Sequence, residues 1–196
     1  MPTPEKDYAF FQAGVGELVD YLLSGELFWQ LSVREADLPR LTIGGLLLAR
    51  ACLRARLTAP VAQADLTALE GRLDAIRSKW RSAWERKAGR EVHARLDLWH
   101  NFLADYGREL PYQYCQSPEN HADMYPQEVR WRVMLQLLAG EFPWPPHESG
   151  ALSSLDAVLK SYWLAGEFIW EVDLSTAFPQ RDYWFLFGKL KRSNND

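Results

Sequence analysis

Cysteine, long apolar runs and familiar catalytic motifs are all scarce in this chain of 196 residues. Its two cysteines, Cys52 and Cys115, can form at most one disulfide bond. A protein of this size needs no disulfide to fold, so we expect both thiols to be reduced, as they are in the cytoplasm. The longest apolar run, residues 41–49, is about half of a bilayer span, and the charged N-terminus does not resemble a signal peptide. The sequence therefore predicts a soluble, cytoplasmic protein without a membrane partner.

The motifs of the commonest enzyme classes are also missing. The chain contains no glycine-rich nucleotide loop, no Gly-x-Ser-x-Gly, no His-Glu-x-x-His and no Cys-x-x-Cys. His93 and His100 are about 10 Å apart along a helix, which is too far for the pair to hold one metal ion. Cys115 has no basic neighbour in the sequence that would lower its pKa. We therefore predict no catalytic residue, no metal site and no cofactor, and we favour a protein that is not an enzyme.

What is present is typical of a helical globular domain. Hydrophobic residues make up 47% of the chain and charged residues 24%, so the chain can bury a core. Apolar residues recur at helical spacing over most of the length, whereas no segment alternates as cleanly as a strand does. The sequence predicts a mainly α, single-domain irregular helical bundle over residues 1–196. We expect about five or six helices, two or three short extended segments at most, and a free tail at residues 193–196.

Caps and glycines define the predicted helices. Thr3 is a suitable N-cap before Pro4, and Gly25 can end the first helix in a left-handed conformation. Gly166 can end the last helix in the same way. The predicted helices cover residues 4–24, 42–57, 63–106, 126–139 and 152–165.

The longest helical segment, residues 63–106, contains an irregularity. Its apolar stripe is interrupted when Lys87 and Glu91 fall on the same line, and a new stripe then begins that is rotated by roughly a third of a turn. Because charged residues are not expected in a buried stripe, this pattern predicts a break, a kink or a change of packing partner at residues 87–91.

One phrase occurs three times: LLSGELFW at 22–29, LLAGEFPW at 137–144 and WLAGEFIW at 163–170. Each copy lies at the predicted end of a helix, where glycine can stop the helix and tryptophan can pack over the stop. We therefore interpret the phrase as architectural. The alternative is a functional site, since three carboxylates in one place could bind a metal ion or transfer protons. These carboxylates would be Glu26, Glu141 and Glu167.

Arg130 lies inside the apolar arc of the predicted helix 126–139. A buried arginine needs a carboxylate or several carbonyl oxygens, because an unpaired buried charge is costly. We expect its partner to be one of the repeated glutamates. A pocket in which Arg130 meets Glu26, Glu141 and Glu167 would suit a small-ligand-binding protein or an enzyme.

Charge is unevenly distributed along the chain. Residues 50–95 carry a net charge of +6 and the remainder −10, so that the whole chain has a net charge of −4. The basic segment 72–95 either contacts an external anion such as nucleic acid or docks against the protein's own acidic groups. The residues that would contact nucleic acid are Arg72, Lys79, Trp80, Arg86 and Arg90. The acidic isoelectric point, about 5.6, is unusual for a nucleic-acid-binding protein.

These patterns favour a tryptophan-rich structural or protein-interaction module, whose partner is another protein or a second copy that pairs through residues 63–106. Nucleic-acid binding through the basic segment is the first alternative. Ligand binding or catalysis at a pocket of arginine and glutamates is the second.

Overall fold

The computed structural model describes residues 3–33, 38–109 and 121–191. Within them the chain forms six α-helices and one two-stranded antiparallel sheet, which confirms the mainly α class. Two short 3₁₀ turns lie between the two strands, at Val172–Leu174 and Trp184–Leu186. The regular elements are α1 (Pro4–Leu23), α2 (Ile43–Arg56), α3 (Pro60–Lys79), α4 (Arg81–Glu109), α5 (His121–Ala139), α6 (Pro146–Tyr162), β1 (Trp163–Ala165) and β2 (Gly188–Leu190).

The starts of α1 and α2 follow from their caps. The Thr3 hydroxyl accepts a hydrogen bond from the Lys6 amide, and the Thr42 hydroxyl accepts one from the Gly45 amide at 3.0 Å. The end of α1 differs from the prediction. Gly25 is not in a left-handed conformation; the chain leaves the helix at Ser24, which is extended. The Ser24 hydroxyl donates to the Tyr21 carbonyl and so takes over the capping role predicted for glycine.

One hydrophobic cluster joins all six helices. α2 lies centrally in it and packs against α1, α4 and α5. Large aromatic side chains fill much of this core, and those that are almost completely buried include Phe11, Tyr21, Trp84, Trp99, Tyr106 and Tyr125. Burial of aromatic rings on this scale is the main source of stability in a fold of this kind.

Of the three outcomes predicted at residues 87–91, namely a break, a kink or a change of packing partner, the break is wrong. α4 runs without interruption through this segment, and the interruption lies instead at Trp80, between α3 and α4. Lys87 and Glu91 stay in the buried stripe of α4 because other parts of the chain supply partners for their charges. The buried face of α4 therefore continues through Lys87 and Glu91, although these two residues are charged.

The third copy of the repeated phrase is not the end of a helix. α6 ends at Tyr162, and the predicted extension to residue 165 forms β1 instead. β1 pairs with β2, so that Trp163 lies opposite Leu190 and Ala165 lies opposite Gly188. The Gly166 amide then donates to a carbonyl oxygen of the returning chain, so this glycine continues the pairing rather than stopping a helix.

None of the described helices is both long and apolar enough to cross a bilayer. Cys115 and the tail 193–196 lie outside the described residues. The homodimer through residues 63–106 stays a prediction.

Candidate functional site

Three charged side chains lie buried at successive turns of α4. Lys87, Glu91 and Arg95 expose only 1%, 0% and 5% of their surface. Charged groups survive such burial only when their charges and hydrogen-bonding atoms are matched. These three residues therefore show where α4 is fixed to the rest of the fold.

Glu91 joins α4 to the N-terminus of α2. One carboxylate oxygen accepts a hydrogen bond from the Gly44 amide at 2.9 Å, and the other accepts one from Arg95 Nε at 2.7 Å. Arg95 Nη2 also donates to the Thr42 hydroxyl at 3.1 Å. Since the N-terminus of a helix carries partial positive charge, it stabilises the Glu91 carboxylate. A Cβ atom at Gly44 would lie 2.7 Å from Glu91 Oε1, so only glycine allows this approach.

Lys87 holds the first copy of the repeated phrase. Its ammonium group donates to the Ser24 hydroxyl and to the Glu26 carbonyl, and it lies 4.4 Å from the centre of the Tyr21 ring. Arg90 Nη1 donates to the carbonyl oxygen of Gly25 at 3.0 Å. Burial lowers the pKa of the Lys87 ammonium, and the nearby arginines lower it further. Two cations therefore fix the loop that follows the C-terminus of α1, where positive charge is favourable.

The second copy contacts the same part of α4. The side chain of Glu141 is 7% exposed; its carboxylate accepts a hydrogen bond from Trp84 Nε1 and forms an ion pair with Arg77 Nη2, both at 2.9 Å. Phe142 packs beside Gly89, where an added Cβ would lie 3.7 Å from its ring. The glutamate of this copy therefore has a structural role, because it joins the end of α5 to α3 and α4.

The structure does not bring the three repeated glutamates together. Glu26 and Glu167 are exposed, whereas Glu141 is buried against α3 and α4. Trp170, in the third copy, donates its indole N–H to the Pro126 carbonyl at 2.8 Å and so places that copy near the start of α5. Glu141 follows the other end of α5, about 20 Å away at 1.5 Å per residue. No group of three acidic, histidine or cysteine side chains suited to a metal ion occurs among the described residues.

The basic segment 72–95 is largely paired within the protein. Five of its cations contact described carboxylates, carbonyls or hydroxyls, namely Arg77, Arg81, Lys87, Arg90 and Arg95. Arg72, Lys79 and Arg86 are exposed, while Trp80 is half-buried beside Lys79. Trp84 is buried, so it offers no face on which a base could stack. Nucleic-acid binding through the exposed residues of this segment stays a prediction.

A cleft opens where α1, α2 and α5 meet, and we call it the α1–α2–α5 cleft. Its volume is about 440 Å³, which lies within the range of small-ligand pockets. Its described lining consists of Lys6, Asp7, Phe10, Leu38, Pro39, Arg40, Thr42, Gly45, Leu48, Ala49, Arg95, Gln127, Glu128, Arg130, Trp131 and Met134. The lining therefore combines an apolar wall with four cations and two carboxylates.

Arg130 is half-buried in the wall of this cleft, and its partner is not one of the repeated glutamates. Its Nε atom is inaccessible to solvent and donates to no acceptor among the described residues. Burial lowers the pKa of the Arg130 guanidinium, whereas the negative charge of Asp7 raises it. A buried donor without an acceptor costs about 1–3 kcal/mol, so this N–H is a position where an added acceptor would stabilise the protein.

Asp7 also lines this cleft, and its negative charge acts on Arg130. It is 7% exposed, and its Oδ2 lies 3.3 Å from Arg56 Nη1. Burial raises the pKa of Asp7 to about 6, although Arg56 and Arg130 lower it and Glu171 adds to the rise. Arg56 also contacts Glu171 and Asp173, so it keeps two carboxylates when Asp7 is protonated.

The raised pKa of Asp7 predicts a pH dependence of stability. Because the folded state binds this proton more tightly than the unfolded state, the contribution is fully present below about pH 4 and is lost as the pH rises through about 6. The Asp7→Asn variant should lack this loss, which is on the order of 3 kcal/mol for a pKa raised from 3.8 to about 6. Urea unfolding of both proteins between pH 4 and about 7 measures it. Profiles that stay parallel would show that Asp7 does not titrate in this range.

Sequence reasoning missed some of the buried charges. Arg132, two residues beyond Arg130, is 4% exposed and pairs with Asp156 through Nε at 2.7 Å and Nη2 at 2.9 Å. It also lies over the Phe185 ring, so it joins α5 to α6 and to the C-terminal segment.

Burial raises the pKa of the Cys52 thiol to about 12, which makes this cysteine a poor nucleophile.

Comparison with known proteins does not identify a family or a function for this chain. No protein-family profile, no curated protein and no solved structure matches the chain. The function is therefore inferred from the site alone.

Proposed function

We propose that this protein binds a small anionic molecule in the α1–α2–α5 cleft, with Arg130 as its anchor. The observation that carries the proposal is the Arg130 Nε–H, which is buried at the cleft wall and has no acceptor among the described residues. Nε itself is inaccessible to solvent, so a carboxylate or phosphate oxygen in the cleft would accept a charge-assisted hydrogen bond from the rest of this half-buried guanidinium. Such a bond is stronger than a neutral one. The sequence analysis gave ligand binding at a pocket of Arg130 and three glutamates as its second alternative. The present proposal keeps Arg130 but does not include Glu26, Glu141 or Glu167.

The charges around Arg130 support an anion rather than a cation. Of the four cations in the cleft lining, Arg95 already pairs with Glu91, and Lys6 and Arg40 are exposed at the cleft opening. Of the two carboxylates, Asp7 pairs with Arg56. Exposed cations at the opening of a cleft raise the local concentration of anions and accelerate their binding.

A second cleft lies on the other side of Arg130, with a volume of about 700 Å³. Its described lining contains the carboxylates of Asp123 and Glu171, and Arg130 is the sole cation in that lining. Trp170 and Ile169 are its main apolar residues. An anion would meet two like charges there, so the α1–α2–α5 cleft is the better site.

The Arg130→Gln variant tests the anchor. Thermal-shift measurements with acetate, hexanoate, succinate and inorganic phosphate should first identify at least one stabilising anion, and isothermal titration calorimetry then gives its Kd. Because a hydrogen bond to a charged group contributes about 1.5–3 kcal/mol, the variant should bind that anion at least tenfold more weakly. Arg130→Lys, which keeps the charge but not the planar donor, should give an intermediate Kd.

Arg72→Gln is the matched control, since it removes the same charge from an exposed position on α3 outside the cleft. Its Kd should equal that of the native protein. Circular dichroism and the unfolding midpoint of each variant establish that it is folded. Equal affinities in the Arg130→Gln and Arg72→Gln variants, or no binding of any of the four anions, would contradict the proposal.

A further inference from the structure

We infer that the ligand of the α1–α2–α5 cleft carries at least two negative charges at separate positions, as an organic dicarboxylate does. One charge binds the Arg130 guanidinium in the cleft wall, and the other lies at the cleft opening near Lys6 and Arg40. This inference rests on the proposed function and specifies its ligand class. It follows from the number of unpaired cations in the lining and from the two depths at which they lie.

The lining holds more positive charge than its own carboxylates balance. Its cations are Lys6, Arg40, Arg95 and Arg130, and its carboxylates are Asp7 and Glu128. Arg95 pairs with Glu91, and Asp7 pairs with Arg56, so both have partners outside the lining. The other three cations form no ion pair within the described part of the chain. They exceed the remaining carboxylate, Glu128, by two charges, although the whole chain has a net charge of −4. A ligand with one negative charge would match only half of this surplus.

The three cations lie at two depths. Lys6 and Arg40 are exposed, whereas Arg130 is half-buried in the wall. Burial lowers the pKa of the Arg130 guanidinium, and the neighbouring charges with the largest effects on it are those of Asp7, Cys52, Arg95 and Glu128. The charges of Lys6 and Arg40 act less strongly on it, as expected for cations that are farther away and screened by water. A ligand that contacts both Arg130 and the opening therefore needs charged groups at two positions.

The two positions should contribute differently to affinity. Arg130 is partly desolvated, so a hydrogen bond from its guanidinium to a carboxylate is strong. Lys6 and Arg40 remain in water, where an ion pair tightens binding by up to about fivefold per cation and is weakened by salt. The contribution of the second charge should therefore depend on ionic strength.

Two ligands with the same number of carbons test the inference. Kd values for butanoate and succinate are measured by calorimetry at pH 7.5, in about 20 mM and in about 500 mM salt. Succinate should bind at least about threefold more tightly than butanoate in low salt. This advantage should shrink in high salt, because the screening length falls from about 20 Å to about 4 Å. Hydrogen phosphate, whose charges share one centre, should bind more weakly than succinate.

The double variant Lys6→Gln/Arg40→Gln removes the outer position. Its Kd values for succinate and butanoate in low salt should become equal, since the second carboxylate loses its partners. The double variant Arg72→Gln/Lys79→Gln is the matched control, because it removes one arginine and one lysine from exposed positions on α3 outside the cleft. The control should keep the preference of the native protein for succinate. Circular dichroism establishes that both variants are folded.

Equal Kd values for succinate and butanoate in the native protein, or hydrogen phosphate as the tightest ligand, would overturn the inference. So would a preference for succinate that survives in Lys6→Gln/Arg40→Gln or that is lost equally in the control. If Arg130→Gln still weakens binding of both carboxylates in these cases, the proposed function stands. Absence of binding by every anion would overturn both.

Discussion

Replacing Glu91 by alanine is expected to lower the free energy of unfolding by about 3–5 kcal/mol. The change leaves the Arg95 guanidinium buried with the Thr42 hydroxyl as its remaining partner among the described residues, and it leaves the Gly44 amide at the start of α2 without its carboxylate. Removing one partner of a buried ion pair costs far more than the pair itself contributes, because the remaining charge is desolvated without compensation.

Urea unfolding followed by circular dichroism measures this effect, and the chain supplies its own control. Arg81 and Glu85 are also four residues apart on α4, with Arg81 Nε at 2.8 Å from Glu85 Oε1, but this pair is solvent-exposed. Glu85→Ala should therefore cost only about 0.3–0.5 kcal/mol. If Glu91→Ala and Glu85→Ala destabilise the protein equally, the buried network does not fix α4 to α2.

The network around Glu91 also has a consequence for the cleft. Arg95 belongs to the cleft lining, and Glu91 and Thr42 hold its guanidinium in place. The close approach of Glu91 depends on Gly44, which lies two residues after Thr42, the N-cap of α2. Glu91, which joins α4 to α2, therefore also holds Arg95 in the lining of the cleft. A substitution at Glu91 should change the shape of the proposed binding site as well as the stability.

The fold class could be predicted because local signals decide it. Thr3, Thr42 and the apolar periodicity of α1 and α2 are contained within short stretches of sequence, and the structure places these helices close to where the sequence does. α6 was predicted to extend too far because a helical pattern and a short strand look alike over three residues. What decides between them at Trp163 is pairing with Leu190, which is distant in sequence.

The buried charges could not be predicted for a related reason. Lys87 and Glu91 looked like an interruption because periodicity treats every charged residue as solvent-facing. Lys87 binds Ser24 and Glu26, just after the end of α1, and Glu91 binds the Gly44 amide in α2; all three partners are more than 40 residues away in sequence. Arg130 was identified as a residue that needs a partner, but a carboxylate that shares its cleft is Asp7, close to the N-terminus. Long-range partners of this kind are visible only once the helices are packed.

The Gly-Glu-x-x-Trp phrase shows how one pattern can have three outcomes. In the first copy the backbone of Glu26 accepts from Lys87, in the second the side chain of Glu141 binds Arg77, and in the third Glu167 is exposed. Each tryptophan indole finds an acceptor, although the acceptors differ: Glu17 for Trp29, the Leu138 carbonyl for Trp144 and the Pro126 carbonyl for Trp170. The tryptophans rather than the glutamates are therefore the structurally consistent part of the phrase.

Replacing Gly188 by alanine is expected to lower the free energy of unfolding by at least about 3 kcal/mol, at the upper end of overpacking effects. A Cβ atom there would lie closer than 3.0 Å to the Leu164 carbonyl oxygen and to the Trp163 indole. The carbonyl belongs to the backbone of β1, so it cannot move aside without breaking the pairing with β2. Trp163 is held in turn by edge-to-face contact with Trp184, at 5.1 Å between ring centres.

Gly166→Ala is the control for this prediction, because its Cβ would meet nothing closer than the Gly188 Cα at 3.6 Å, an ordinary contact. Its stability should change by no more than about 0.5 kcal/mol. Hydrogen exchange shows whether the sheet has opened, because the Lys191 amide donates to the Tyr162 carbonyl at 2.7 Å. This amide should lose its protection against exchange in Gly188→Ala and keep it in Gly166→Ala. Leu186 and Leu190 are buried in the common core, so loss of the sheet should also lower the midpoint of global unfolding. Unchanged protection and an unchanged midpoint in Gly188→Ala would mean that the third copy of the phrase does not depend on its pairing with β2.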